Sequence, residues 1–239
     1  MKKLVIIPTY NEKENAGAMI GKVFSLSEKF DILFIDDGSP DGTGEIIKRA
    51  QAEYPDSLHL IERSGKLGLG TAYITGFKWA LEHGYDYIFE MDADFSHNPD
   101  DLARLYQEAL EGNDLVVGSR YVTGVNVVNW PMKRVLISYY GSKYVRIVTG
   151  MPVRDVTAGF VCYSAGLLRT MDLDAVRMKG YGFQIEMKYT AWKLGFKLKE
   201  IPIIFTERRE GSSKMSGAIF REALFGVVGL RFRRLKPKE

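Results

Sequence analysis

Apolar runs typical of β-strands alternate with helix-like segments through most of this 239-residue chain. In the first helix-like segment, apolar residues recur at helical spacing, as at Ala16, Met19 and Ile20. Predicted strands cover residues 4–7, 31–35, 58–61, 87–91 and 115–117, and predicted helices cover 15–27, 43–54, 71–82 and 101–110. This alternation favours an α/β fold with a mostly parallel, twisted sheet and helices on both faces.

The pattern becomes looser after Arg120. Here we predict a loop over 121–131, a helix over 135–148 and further strands over 159–163 and 198–205. Hydrophobic residues make up 46% of the chain, which is enough for one substantial core. With no internal repeat and no linker-like stretch, we expect one catalytic unit over residues 1–218 and a distinct C-terminal segment over 219–239.

Acidic side chains directly follow two of the predicted strands. Asp36 and Asp37 follow the strand at 31–35, and Asp92 and Asp94 follow the strand at 87–91. The carboxyl ends of strands in open α/β sheets lie where ligands bind, and residues two apart on a strand face the same side. Two converging carboxylates are costly unless a cation lies between them. The pair therefore predicts a site for a hard divalent cation that carries a diphosphate.

The alternative for an Asp-x-Asp sequence is a solvated turn or helix cap, which is the commoner role of such pairs. The apolar strand before Asp92 and the helix that opens after Pro99 favour the metal site. Other phosphate-binding motifs are absent: the chain has no Walker A sequence, and the glycine-rich stretch 65–70 lacks dinucleotide spacing. That stretch either forms a flexible turn into the next helix or contacts a ligand.

Seven short motifs together resemble one enzyme family. Residues 8–12 (PTYNE), 36–43 (DDGSPDGT) and 92–94 (DAD) occur in the order found in family-2 glycosyltransferases with the GT-A fold. Four later motifs narrow the resemblance to dolichol (polyprenol) phosphate mannose synthases, namely 118–121 (GSRY), 155–160 (DVTAGF), 180–186 (GYGFQIE) and 208–214 (RREGSSK). The similarity covers nearly the whole chain.

The resemblance implies metal-dependent transfer of mannose from GDP-mannose to a polyprenyl (dolichyl) phosphate, with inversion to a β-linked product. The positions implied for the nucleobase and ribose are Pro8, Tyr10, Glu12, Ile35 and Asp37. Those implied for the diphosphate and for Mg²⁺ or Mn²⁺ are Asp92, Ala93 and Asp94, with Asp94 as the firmest metal ligand. Those implied to close over the diphosphate from a loop are Arg208 and Lys214.

The acceptor phosphate is implied to bind Arg120, Arg134 and Ser138, and the implied catalytic residues are Asp92, Asp94 and Arg120. Some relatives carry a Gln two residues after the second Asp as a further metal ligand. Ser96 occupies that position here, which leaves room for an additional water on the metal. For Arg120, a salt bridge is the alternative to a phosphate contact.

No general base is evident, and none is needed for this acceptor. A phosphate monoester has its second pKa near ~6, so at neutral pH it attacks as a dianion. Of the three histidines, we predict structural roles for His59 and His83, whereas His97 lies near the metal or caps a loop. Two alternatives remain: glucose transfer from UDP-glucose to the same lipid class, and a non-catalytic sugar-nucleotide-binding subunit.

The net charge is only +3, but six basic residues fall within 221–238. Residues 219–239 are predicted to form an amphipathic helix and basic tail, which either lies in a membrane interface or packs on the domain as a core helix. A small membrane protein partner could serve instead. No nucleic-acid recognition module is present. The single Cys162, the absence of a signal peptide and the absence of a spanning run predict a peripheral protein on the cytoplasmic face of a membrane.

Overall fold

The computed structural model describes residues 1–178, 180–207, 226–233 and 237–238. Its strands are β1 (Lys3–Thr9), β2 (Asp31–Asp36), β3 (Leu58–Glu62), β4 (Tyr87–Glu90), β5 (Leu115–Ser119), β6 (Val127–Val128), β7 (Val161–Ser164), β8 (Leu198–Pro202) and β9 (Phe205–Thr206). Its helices are α1 (Lys13–Phe24), α2 (Thr43–Gln51), α3 (Leu69–Glu82), α4 (Asp101–Leu110), α5 (Met132–Thr149), α6 (Ala165–Thr170) and α7 (Tyr181–Lys193), with a 3-10 turn at Leu173–Ala175.

Seven strands form the central sheet in the order β3-β2-β1-β4-β7-β5-β8. All neighbouring pairs are parallel except those of β7, which runs antiparallel between β4 and β5. β6 and β9 form a separate parallel pair. The prediction of a mostly parallel sheet is confirmed, and the antiparallel β7 is an addition that periodicity did not predict.

Two predicted elements have different bounds in the structure. The strand predicted over 198–205 divides into β8 and β9, because Pro202 has no N–H with which to continue the ladder. The helix predicted over 135–148 runs from Met132 to Thr149 and ends at Gly150, whose φ of 76° favours glycine. α5 therefore begins closer to β6 than the sequence indicated, and it carries Arg134 in its first turn.

Buried apolar residues form two clusters, one on each face of the sheet. One cluster contains residues of α3, α6 and α7, and the other contains residues of α1, α2 and α4. Helices therefore cover both faces, and β1, β2 and β4 are buried on both sides, as parallel strands usually are. Because the strands are held in this way, the loops at their carboxyl ends start from fixed positions.

The C-terminal segment is described only in part, and the predicted boundary at residue 218 lies outside the described residues. Residues 226–232 are helical, and Val227 and Leu230 are buried in the same cluster as α3 and α7. Arg231 Nη1 donates to the carbonyl of Val148 at 2.7 Å. Within this stretch the helix packs on the domain, as one of the two alternatives predicted, while Phe232 is 78% exposed. Among the described residues, no helix is long and apolar enough to cross a membrane.

Candidate active site

A cavity of about 400 Å³ lies at the carboxyl ends of β1, β2, β4 and β5. Most of the side chains predicted for the site contribute to its wall, namely Pro8, Tyr10, Glu12, Asp37, Asp92, Arg120, Arg134 and Ser138. These residues come from positions up to 130 apart in the sequence numbering, from Pro8 to Ser138. The fold thus brings the predicted donor and acceptor residues into one cavity.

The two adjacent aspartates after β2 have different partners. Asp36 accepts hydrogen bonds from Thr9 Oγ1 at 3.0 Å and from Ser39 Oγ at 2.6 Å, which ties the end of β1 to the turn that follows β2. Asp37 lines the cavity and accepts from Arg63 Nε at 2.6 Å. Asp36 is therefore a structural residue of the turn, and Asp37 is the carboxylate available to a ligand.

Arg63 is a site residue that sequence reasoning missed. Besides Asp37, it contacts Thr71 Oγ1 at 2.8 Å and the carbonyl of Gly68 at 3.3 Å. It therefore joins the acidic turn after β2 to the glycine-rich stretch, where Gly68 has a φ of 103° and precedes α3. Of the two alternatives for that stretch, the turn into α3 is observed, and Gly68 also lines the cavity. The same glycine-rich stretch contributes a cation to the cavity wall, since Lys66 Nζ lies 4.5 Å from the ring centroid of Tyr10.

Asp92 and Asp94 follow β4 in a tightly bonded turn. The side chain of Asp92 is 35% exposed, whereas Asp94 is largely buried and accepts from the backbone N–H of Ser96 at 3.0 Å. His97 Nδ1 accepts from the backbone N–H of Asp92 at 3.2 Å, and its ring stacks on Phe160. Burial lowers the pKa of His97 to about 4, so its imidazole is neutral near pH 7. His97 thus acts in the structure as a loop-fixing residue.

The donor atoms at this turn suit a divalent cation that is shared with a substrate. Among the described residues, no group of three or more His, Cys, Asp or Glu could hold a metal alone. Two carboxylates are nevertheless sufficient for Mg²⁺ or Mn²⁺ bound mainly through substrate phosphates, because Mg²⁺ keeps waters and needs only one or two protein carboxylates. Asp92 and Asp94 therefore fit a metal whose remaining ligands are diphosphate oxygens and water.

Four predicted site residues lie elsewhere or cannot be placed. Ile35 was implied in the nucleobase pocket, but its side chain is fully buried in the core, since β2 is covered on both faces. Ala93 is 4% exposed and packs in the cluster on the opposite face. Arg208 and Lys214 fall outside the described residues.

Arg120 is held by a buried carboxylate at the end of β5. Asp155 accepts from Arg120 Nε at 2.7 Å, from Nη2 at 2.6 Å and from the backbone N–H at 2.9 Å. Thr157 Oγ1 accepts from the same Nη2 at 3.0 Å. Burial lowers the pKa of Arg120, but Asp155 outweighs it, so the net shift is upward and the guanidinium stays charged. The salt-bridge alternative is thus present, as a buried pair that orients Arg120 in the cavity wall.

Arg134 and Arg120 both lie over the indole ring of Trp130. Their guanidinium carbons are 4.0 and 5.4 Å from the ring centroid, respectively. Arg134 also forms an ion pair with Glu207, the last described residue of its segment. Two cations that contact the same aromatic ring, each oriented by its own carboxylate, form a preoriented site for an anion.

Several buried polar atoms in the cavity wall have no hydrogen-bond partner within the described part of the chain. They are Tyr73 Oη, Trp130 Nε1, Arg134 Nε and Ser142 Oγ. By contrast, Ser138 Oγ accepts from Tyr121 Oη at 2.7 Å. Buried donors usually have partners, so this concentration in one cavity indicates a ligand rich in phosphate and hydroxyl oxygens.

A series of buried hydrogen bonds begins at Glu90, the last residue of β4. Gln184 Nε2 donates to Glu90 Oε2 at 2.6 Å, and Lys188 Nζ donates to Gln184 Oε1 at 3.0 Å and to the carbonyl of Ala158 at 2.7 Å. Burial raises the pKa of Glu90 to about 8 and lowers that of Lys188 to about 8. These hydrogen bonds connect the end of β4 to the loop that contains Asp155 and Thr157, the partners of Arg120.

The supporting residues that sequence reasoning missed lay within or beside the quoted motifs. Asp155 opens the motif at 155–160, Gln184 lies in the motif at 180–186, and Glu207 directly precedes the motif at 208–214. Arg63 and Trp130 lie outside every motif. The only sequence features that pointed to them were their positions, Arg63 shortly after the predicted third strand and Trp130 shortly before the helix α5.

Comparison with protein families agrees with this geometry. A model described as glycosyl transferase family 2 matches residues 4–175. The chain belongs to glycosyltransferase family 2. The matched region includes both aspartate turns, Arg120, Arg134 and Asp155. The protein is therefore a glycosyltransferase, as predicted.

Two similar proteins extend the match over almost the whole glycosyltransferase. The undecaprenyl-phosphate mannosyltransferase of Micrococcus luteus is 50% identical over 228 residues, covering 95% of this chain and 93% of its own. The polyprenol monophosphomannose synthase of Mycolicibacterium smegmatis is 47% identical over 234 residues, covering 97% of this chain and 88% of its own. The narrower resemblance to polyprenol phosphate mannose synthases is thereby confirmed.

Solved structures of more distant enzymes share the architecture. Glucosyl-3-phosphoglycerate synthase from Mycobacterium tuberculosis, in complex with Mn²⁺, UDP and phosphoglyceric acid, superposes with a TM-score of 0.70 at 17% identity. The superposition covers 97% of this chain and 78% of that one. A complex of the same enzyme with Mn²⁺, UDP-glucose and phosphoglyceric acid gives 0.69 at 20% identity, over 95% and 80%. The predicted GT-A fold is confirmed.

Proposed function

We propose that this glycosyltransferase transfers mannose from GDP-mannose to a polyprenyl phosphate such as dolichyl phosphate, with Mg²⁺ or Mn²⁺ and with inversion at the anomeric carbon. The observation that carries the proposal is one cavity that combines Asp92 with the guanidinium groups of Arg120 and Arg134 around Trp130. An acidic end suits a metal-bound diphosphate, and a cationic end suits a phosphate acceptor. The mannosyltransferases at 50% and 47% identity support the sugar and the lipid class.

At the donor end, Pro8, Tyr10, Glu12 and Asp37 would hold the nucleobase and ribose, with Arg63 orienting Asp37. Asp92 and Asp94 would hold the metal, which neutralises charge on the departing diphosphate when it is bound. The proposal retains the implied roles of Arg208 and Lys214 over the donor diphosphate.

At the acceptor end, Arg120, Arg134 and Ser138 would bind the lipid phosphate, with Asp155 and Glu207 orienting the two guanidinium groups. A phosphate oxygen forms a bond to the anomeric carbon while the bond from that carbon to the diphosphate oxygen breaks. The electron pair leaves with the nucleoside diphosphate, and a direct displacement inverts the configuration. The dianion needs no base, and the neutral, buried His97 fits a structural role.

Contact with a membrane surface follows from the nature of the acceptor and is supported by α5. This helix exposes apolar side chains to solvent, among them Met132, Leu136, Tyr140 and Ile147, which are 70%, 47%, 59% and 73% exposed. Large exposed apolar patches usually mark interaction sites. We propose that this face, with the basic C-terminal tail or a small membrane protein as further attachment, rests on the cytoplasmic face of a membrane. The buried, free thiol of Cys162 is compatible with that reducing compartment.

The decisive experiment is a donor panel with purified protein, a short polyprenyl phosphate and either Mg²⁺ or Mn²⁺. We expect transfer from GDP-mannose, no transfer after chelation, and a β-linked product by NMR. A preference for UDP-glucose would replace the proposed reaction with the glucosyl alternative. Binding of donor without turnover, under conditions that support transfer by a homologous enzyme, would favour the non-catalytic alternative.

A further inference from the structure

A second cavity lies on the other side of α5. It has a volume of about 190 Å³ and is lined by Tyr121, Tyr139, Lys143, Arg146 and Arg154. The first cavity is lined by other residues of the same helix, including Ile137, Gly141 and Val145. At about 100° per residue, these two sets occupy different sides of an α-helix. The two cavities are linked by one hydrogen bond: Tyr121, which lines the second cavity, donates its hydroxyl proton to Ser138 of α5, which lines the first.

Three cations line this second cavity, and none of the described carboxylates forms an ion pair with them. Within the described ranges, Lys143, Arg146 and Arg154 form no ion pair, and the buried Nε of Arg146 has no hydrogen-bond partner. Arg154 Nη1 donates to the neutral carbonyl of Val122 at 2.9 Å. Like charges that are brought together raise the free energy of the folded protein unless an anion joins them.

The neighbouring carboxylates are already engaged elsewhere. Glu200 accepts the backbone N–H groups of Arg154 and Asp155 at 2.7 and 2.9 Å, and Asp155 pairs with Arg120. Neither carboxylate forms an ion pair with Lys143, Arg146 or Arg154. The phenol of Tyr139 adds a hydroxyl group that can donate to a phosphate oxygen, whereas Tyr121 Oη already donates to Ser138 Oγ.

The cationic cavity borders the exposed apolar face of α5. Leu136, Lys143 and Ile147 are seven and four residues apart, which places them on one face of the helix, with Tyr139 and Tyr140 on either side. A cationic pocket beside an apolar stripe is complementary to a molecule with an anionic head and apolar tails. A free inorganic anion would use the pocket and leave the stripe uncovered.

We propose that this second cavity binds the phosphate of an anionic phospholipid, whose acyl chains lie along the apolar face of α5. The site is separate from the proposed acceptor-phosphate site, which uses Arg120 and Arg134 in the first cavity. It would make membrane attachment depend on anionic lipid even when no substrate is present. The inference uses the membrane contact proposed above but not the identity of the sugar or the reaction.

The test is co-sedimentation of the full chain with vesicles of phosphatidylcholine, with and without phosphatidylglycerol, in the absence of donor and acceptor. The test variant is Lys143→Gln/Arg146→Gln/Arg154→Gln. Its control is Lys29→Gln/Arg49→Gln/Arg169→Gln, which removes the same charge from exposed positions away from α5. We expect the test variant to bind anionic vesicles roughly tenfold more weakly or worse, and the control to change much less, since each basic residue near an anionic surface contributes about a further factor of five.

Two further measurements separate the possible sources of the effect. The charge-retaining variant Lys143→Arg/Arg146→Lys/Arg154→Lys should bind anionic vesicles nearly as well as the unmodified chain. Transfer to a short, water-soluble isoprenyl phosphate without vesicles should be unchanged in the test variant, so failure of the catalytic proposal would be seen separately. If the triple variant does not fold, Lys143→Gln, at an exposed position, carries the test with a smaller expected loss.

Equal losses in the test and control variants would overturn the proposal, since charge alone would then account for binding. Binding to neutral vesicles that matches binding to anionic ones would overturn it as well. Calorimetry with inorganic phosphate provides the last comparison: saturable binding that is lost in the test variant, without any preference for anionic vesicles, would reassign the cavity to free anions. Dimerisation through α5 in place of vesicle binding would assign the apolar face to a second copy.

Discussion

Asp155 receives hydrogen bonds from Arg120 through both carboxylate oxygens, Oδ2 from Nε at 2.7 Å and Oδ1 from Nη2 at 2.6 Å. Asp155→Asn would leave a buried guanidinium without its counter-charge, which typically costs about 3 kcal/mol or more of unfolding free energy. Urea denaturation measures that loss. Asp174→Asn is the matched control, since its ion pair with Lys78 is exposed and its removal should change stability little. Similar effects in both variants would contradict the assigned role of Asp155.

Asp94→Asn should abolish most turnover and leave the fold intact. The amide keeps an oxygen that can accept from the backbone N–H of Ser96, as Oδ1 of Asp94 does at 3.0 Å, but it loses the charge that a metal requires. We expect initial rates to fall by roughly a hundredfold or more in buffer replete with Mg²⁺ or Mn²⁺. Asp92→Asn should be milder if Asp92 mainly contacts sugar or ribose. Near-normal rates for Asp94→Asn would exclude it as the principal metal ligand.

Arg134→Ala should weaken use of the lipid phosphate more than binding of GDP-mannose. A charge-assisted hydrogen bond to phosphate contributes enough that KM for the acceptor should rise about tenfold or more. Calorimetry with GDP-mannose measures the donor separately, and its Kd should be nearly unchanged. Glu207→Gln provides a comparison, because it frees Arg134 from its carboxylate without removing the guanidinium. Equal losses of donor and acceptor affinity would place Arg134 in the donor site.

Lys188→Met should destabilise the protein more than the double variant Glu90→Gln/Lys188→Met. The single change removes the buried donor to Gln184 Oε1 and to the carbonyl of Ala158, and a buried acceptor that is left unsatisfied costs about 1–3 kcal/mol. Glu90→Gln adds an amide N–H group that can donate to Gln184, which should recover part of that loss. A double-mutant cycle by urea denaturation measures the coupling, and additive losses would show that the two side chains act independently.

Stability should fall as the pH is lowered through the ordinary pKa of histidine, in part because of His59. Burial lowers the pKa of His59 from 6.5, so the unfolded chain takes up a proton before the folded one does. The contribution of His59 to the free energy of unfolding is present above about pH 6.5 and is lost as the pH falls below that value. Urea denaturation at several pH values should give a smaller decline for His59→Gln than for the unmodified chain. Identical declines would assign the pH dependence to other groups.

Local periodicity was sufficient to predict the elements of the N-terminal half of the chain, from β1 to β5. The strands β1 to β5 were predicted from their apolar runs, and the helices α1 to α4 from the spacing of their apolar residues, since the strands are buried in the sheet and each helix buries one stripe. The carboxylates after β2 and β4 converge on one cavity because parallel strands end at the same edge of the sheet. In this part of the sheet, β1 pairs with β2 and β2 pairs with β3, and β4 returns to pair with the other side of β1.

The rest required long-range contacts that no local pattern contains. Arg63 pairs with Asp37, and Arg134 pairs with Glu207, which is 73 positions further along the chain. The family resemblance implied that Ile35 lies in the nucleobase pocket, but the sheet is covered on both faces and the side chain of Ile35 packs in the core. The apolar run of β7 did not predict its antiparallel direction or its central position in the sheet, because short buried strands have similar sequences in either direction.

The position of β7 also determines how the segment that carries the proposed acceptor residues is attached to the sheet. β5 ends at Ser119 and β7 begins at Val161, and these paired strands are tied by a bond from Gly118 N–H to the carbonyl of Phe160 at 2.8 Å. The chain therefore leaves the sheet and returns to it at adjacent points. Residues 120–160 lie between these points and contact the C-terminal part of the domain through the pairing of β6 with β9. Such a segment could be replaced by one of another length while the donor strands keep their register. In evolution, the same geometry would let one sugar-nucleotide scaffold acquire new acceptors by changes in this segment and in the few residues of 205–207 that contact it.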